Sequence, residues 1–119
     1  MQTVYLIGNP SVDADNLPHA LLSYLQHSYA CIEVDPTETF EPVEGAVIID
    51  TVQGIERVQW FDSLDDFVVT KSVSVHDYDL YLHLKLLQKL TKIKIRILGV
   101  PQGKKVEEVI DEVMKHLAN

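Results

Sequence analysis

Residues 5–22 read YLIGNPSVDADNLPHALL. An apolar run ends in Gly8-Asn9, a short polar loop follows with two aspartates, Asp13 and Asp15, and apolar residues then recur at helical spacing. This is the outline of a strand, a loop and a helix. TVYLIG (3–8) lacks clear alternation, as expected of a strand buried on both faces of a parallel sheet. Asn16 is placed to cap the helix, with Pro18 in the first turn, where a missing N–H costs little. Leu21, Leu22 and Leu25 supply an apolar face that ends near Ser28. In a parallel sheet such a loop lies at the carboxyl end of a strand, where ligands tend to bind. The aspartates therefore have two readings, helix cap or ligand contact.

The same kind of alternation continues along the chain. ACIEV (30–34) is a second strand and AVIID (46–50) a third, again an apolar run that ends in an aspartate. Between them DPTETFEPVEG (35–45) is turn-rich and barely reaches the length of about a dozen residues that a parallel crossover takes. A single helical turn or a reduced connection is expected there. RVQWF (57–61) alternates, with Val58 and Trp60 on one side, and suggests an exposed or edge strand. SLDDF (63–67) suits a turn of helix, and SVSVH (72–76) is expected to be extended. DYDLYLHLKLLQKL (77–90) repeats Leu80, Leu84 and Leu87 as an amphipathic helix does. KIKIRILGV (92–100) alternates as a strand, broken by Pro101 and Gly103. In the last segment Val106, Val109, Ile110, Val113 and Leu117 fall on one helical stripe. No repeat, low-complexity tract or linker divides the chain, so one α/β domain spanning 1–119 is expected.

The totals agree with a folded domain: 119 residues, 46% apolar and 24% charged. No run approaches the roughly 18 apolar residues of a membrane helix, and MQTVYLIGN has neither the basic stretch nor the cleavage site of a signal peptide. Cytoplasmic residence without membrane attachment is the expectation. The single cysteine, Cys31, excludes an internal disulfide and, between Ala30 and Ile32, reads as a buried strand residue rather than a nucleophile. The net charge of −8 repels a phosphate backbone and argues against a nucleic-acid partner. The basic residues gathered in KLTKIKIR (89–96) alternate with apolar ones and read as the solvent side of an edge or strand end.

Three stretches put a potential metal ligand at or just after an apolar strand, or just before a helix. They are Asp15 after the first strand, Asp50 at the end of the third, and His76 ahead of the central helix. Such points converge at one edge of an α/β sheet although they are far apart in sequence. Two carboxylates and an imidazole suit zinc, nickel, manganese or iron, and three protein ligands leave positions open for substrate or water. Each residue also has a plain structural reading: Asp15 as a helix cap, Asp50 as an acceptor for turn N–H groups, His76 as a helix start. His19, His27, His83 and His116 fall on expected helices, as solvated or partly buried rings. Asp65-Asp66 reads as a solvated acidic turn. No Gly-x-Gly-x-x-Gly follows the first strand, no phosphate loop is present, and the Gly-x-Ser-x-Gly of serine hydrolases is absent.

The order of these features resembles the hydrogenase maturation endopeptidases, which trim the C-terminal tail of the nickel–iron hydrogenase large subunit. LIGNPSVDAD matches the family's opening strand ending in Gly-Asn and puts Asp15 at its acidic metal contact. VIIDTV matches the strand-end aspartate with Asp50, SVHDYDL the Ser-x-His segment with His76, and ILGVPQ the last strand, before a shared final helix. The resemblance implies a three-layer α/β/α sandwich with a mostly parallel, mixed sheet of about five strands, phosphorylase/hydrolase-like. It implies Asp15, Asp50 and His76 as catalytic and metal-contacting residues. Nickel would be carried by the precursor substrate, with another divalent ion able to substitute, and the hydrogenase large-subunit precursor would be the partner. A metal-bound water or an aspartate base would then attack the scissile carbonyl. The sequence departs from the family where Asn16-Leu17-Pro18 replaces a Gly-x-Gly and DPTETF replaces a glycine-rich loop, and the QGKK connection is short. A non-proteolytic binding or chaperone module of the same fold is the alternative, and a small α/β domain with some other strand-end ligand a third reading. Nothing in the sequence fixes an oligomeric state.

Overall fold

The computed structural model describes residues 2–8, 16–35, 40–71 and 75–118, the side chains of 68–71 and 75–79 excepted. Five strands form one sheet: β1 (Thr3–Ile7), β2 (Ala30–Val34), β3 (Val47–Val52), β4 (Gln59–Phe61) and β5 (Arg96–Pro101). Their order is β2-β1-β3-β5-β4. All neighbours are parallel except β4, which joins β5 antiparallel at the edge. The helices are α1 (Leu17–Ala20), α2 (Leu22–Leu25), α3 (Leu64–Lys71), α4 (Val75–Thr91) and α5 (Val106–Ala118). Among the described residues no helix is long and apolar enough to cross a membrane.

Strand alternation divides the core in two. Tyr5, Ile7, Ile48, Val52 and Ile97 face one way, and Leu64 and Phe67 of α3 with Leu80, Tyr81 and Leu84 of α4 cover them. Val4, Leu6, Val47, Ile49, Leu98 and Val100 face the other way, under Leu17, Leu21 and Leu25 of α1 and α2 and Val109, Val113 and Leu117 of α5. Each fully buried Leu, Ile or Phe stabilises this arrangement by roughly 1.5–3 kcal/mol. Helices on both faces of a mostly parallel five-stranded sheet give the expected three-layer sandwich.

Several boundaries differ from the sequence reading. The expected strand over 92–100 begins only at Arg96, because Lys92 takes a left-handed φ of 59° and closes α4. Its alternating apolar residues also belong inside: Ile97 to Pro101 are buried without interruption. The stretch 72–76 is not wholly extended, since Val75 and His76 already lie in α4; residues 72–74 are outside the described part. The first helix divides at Leu21 into two short turns, and Asn16 stands at its N-cap position without a side-chain cap bond. Cys31 is only partly buried, because β2 is an edge strand paired to β1 alone among the described residues.

The connection from β2 to β3 must pass over β1. Among its described residues, Asp35 and Phe40 to Ala46, no helix forms. Phe40 packs on Tyr5 of β1 with ring centroids 4.7 Å apart, and the Val43 N–H donates to the Tyr5 hydroxyl at 3.2 Å. The described part of this connection thus folds against a tyrosine on the strand it crosses.

Candidate functional site

β3 continues two residues past Asp50 to Val52, so this aspartate sits within the strand rather than at its last residue. It pairs with Gly99 of β5 and points to the α3/α4 face. Among the described residues the buried polar side chains are Asp50, 2% exposed, and its neighbour Thr51. The Thr51 N–H donates to Asp50 Oδ1 at 2.8 Å, and the Tyr81 hydroxyl donates to Oδ2 at 2.6 Å. Both carboxylate oxygens accept a hydrogen bond. Buried carboxylates are rare in cores, and a carboxylate is an oxygen donor suited to a divalent cation.

α4 brings a second element to this place. Its Tyr81 reaches Asp50 in the carboxyl half of β3, while beyond its other end the Lys94 N–H donates to Glu44, ahead of β3. The helix therefore runs from the carboxyl edge of the sheet back to the amino edge. His76 is its second residue. At 1.5 Å rise per residue its backbone stands about 7.5 Å beyond Tyr81 along the helix axis, towards the carboxyl edge. The His76 side chain and the whole of Asp15, with Asp13, lie outside the described residues. Among the described residues no group of three or more His, Cys, Asp or Glu could hold a metal.

The exit of β1 has its own fixture. Gly8 leaves the strand with φ 154°, a conformation that side chains disfavour. The part-buried His19 of α1 donates from Nε2 to the Gly8 carbonyl, and its Nδ1 lies 3.0 Å from Glu33 Oε2 on β2. The carbonyl can only accept, so Nε2 carries the hydrogen of that bond. One side chain thereby ties α1, the end of β1 and the edge strand at the root of the Asp15 loop. Elsewhere among the described side chains, His27 is exposed after α2, and the His116 Nδ1 donates to the Glu112 carbonyl within α5.

Sequence reasoning singled out neither Tyr81 nor the bridging role of His19. Tyr81 follows Leu80 on the buried side of an amphipathic helix, where a tyrosine reads as core packing. The one signal available was a phenol tip that needs a buried partner.

The sheet order places all of this at a particular point. From β1 the chain moves to β2 on one side, and from β3 onward it builds the other side. β1 and β3 are therefore the neighbours between which the winding reverses, and open α/β sheets bind ligands outside the carboxyl ends of such strands. The molecule is a doubly wound α/β domain with a buried carboxylate beside its switch point.

Two solved structures share this fold. One is the [NiFe] hydrogenase maturation protease HybD from Thermococcus kodakarensis, with a TM-score of 0.67, 21% identity and full coverage of both chains. The other is the hydrogenase maturating endopeptidase HybD from E. coli, with a TM-score of 0.63 and 16% identity over 98% of this chain and 90% of that one. The sequence matches no protein-family model and no curated protein. The fold implied by the sequence resemblance is the fold observed.

Proposed function

We propose that this chain is a hydrogenase maturation endopeptidase that removes the C-terminal extension of a nickel–iron hydrogenase large-subunit precursor after nickel insertion. The carrying observation is a buried, hydrogen-bonded Asp50 beside the switch point of a fold that matches two such proteases over nine-tenths or more of their length. Asp15, Asp50 and His76 contact the nickel that the precursor brings, and the cytoplasm is where they meet it. Two oxygen donors and one nitrogen donor complete a coordination sphere only when the metal is present, so an empty precursor offers nothing to grip. Cleavage adds water across the scissile amide. The new C–O bond forms as the C–N bond breaks and the departing nitrogen takes a proton. The nickel supplies polarisation, and the aspartates supply negative charge and a proton acceptor.

The test is incubation with a nickel-loaded precursor, followed by mass spectrometry of the large subunit. Wild-type protein is expected to release the tail. Asp15→Ala, Asp50→Asn and His76→Ala should each slow release by at least about 100-fold.

One observation favours a second reading. Pro18, which stands at the second glycine of the family's Gly-x-Gly, is buried in α1 with Leu17 rather than lining an open loop. A chaperone-like module would bind the loaded precursor tightly and leave its tail intact in the same assay.

A further inference from the structure

We propose that Tyr81 is a positioning residue that orients the Asp50 carboxylate for its metal contact, an inference that rests on the function proposed above. Tyr81 is 1% exposed and its hydroxyl lies 2.6 Å from Asp50 Oδ2, inside the molecule. With the Thr51 N–H on the other oxygen, the plane of the carboxylate is held from two sides. A ligand carboxylate left to rotate loses affinity for its ion, and hydrogen bonds from behind prevent that. A phenol is suited to the task because it donates one hydrogen without cancelling the anion. A lysine or arginine in its place would compete with the metal for the same charge.

The phenol is itself held. Its ring lies 5.0 Å from that of Phe67 in α3, tilted by 52°. Phe67 packs edge-on against Phe61 of β4, with centroids 5.1 Å apart. Phe61 in turn fills the space over Gly99, the residue paired with Asp50. An aromatic relay from the edge strand through two helices thus returns to the carboxylate from which the sheet register began. α4 carries both residues, Tyr81 behind Asp50 and His76 as its second residue.

The experiment titrates Ni²⁺ and Zn²⁺ into the full chain by calorimetry, with thermal unfolding as a control for folding. Tyr81→Phe is expected to fold and to bind the ions about 10–100-fold more weakly. Asp50→Asn should bind the ions more weakly than wild type while keeping measurable affinity, and adding Tyr81→Phe to it should change nothing more, because Tyr81 acts through Asp50. A folded Tyr81→Phe chain with wild-type affinity, or an undiminished effect in the Asp50→Asn background, overturns the proposal alone. A wild-type chain that takes up neither ion, or an Asp50→Asn chain that binds as well as wild type, overturns the metal-contact reading and the proposal with it. If Tyr81→Phe unfolds, Phe67→Leu keeps the hydroxyl and loosens the ring. Weaker ion binding that depends on Asp50 is then expected, and unchanged binding is the negative result.

Discussion

A Cβ added at Gly99 would stand 2.6 Å from Phe61 Cε2 and 2.9 Å from Val52 Cγ2, closer than real contacts allow. The ring cannot withdraw without disturbing Phe67, against which it packs. Gly99→Ala is therefore expected to destabilise the protein by about 1–3 kcal/mol, as overpacked core sites do, read from the urea midpoint. A variant with wild-type stability would mean that the Phe61 side chain yields easily. The same position shows which parts of the site the sequence discloses. Asp50 was legible because a charged residue closes an apolar run, which is a local pattern. The glycine opposite and the tyrosine behind were not, because both owe their roles to residues far along the chain. Tyr81 and Asp50 are 31 residues apart, and nothing near either one announces the other.

Elements were legible wherever periodicity decided them. α5 presents the expected stripe of Val109, Val113 and Leu117 to the sheet, and β4 is the edge strand that its alternation suggests. Misreadings occurred where an apolar pattern met a backbone feature without a sequence signal. Lys92 ends α4 in a conformation usually left to glycine, so the alternation that follows it looked like strand too early. The edge position of β2 was equally hidden, since strand order is a property of the assembled sheet. It has a chemical consequence at Cys31, whose thiol is half-shielded and whose pKa burial pushes up from its usual value. At neutral pH less of it is thiolate. Iodoacetamide should label Cys31 more slowly in the folded protein than in the urea-unfolded chain, followed by mass spectrometry. Equal rates would show that β2 detaches from β1 readily.

At the scale of the molecule, the proposed function assigns the nickel to the precursor and not to this protein. The fold holds itself together through two apolar layers that meet on the sheet. Treatment with a chelator such as EDTA should accordingly leave the thermal midpoint unchanged, by circular dichroism or calorimetry. A marked fall would reveal a resident structural metal. The architecture as a whole was readable because strand and helix patterns alternate, which admits few folds. The place where the winding reverses was not readable, since it depends on which side of β1 each later strand joins. The hydrogen bond between Tyr81 and Asp50 also has a meaning in time. During synthesis β3 leaves the ribosome well before α4, so its aspartate waits with neither the phenol nor β5 beside it. A chain truncated before its last third would carry the carboxylate without its orientation. The bond between Tyr81 and Asp50 is thus closed only once α4 has been made, and a shorter copy of the chain cannot form it.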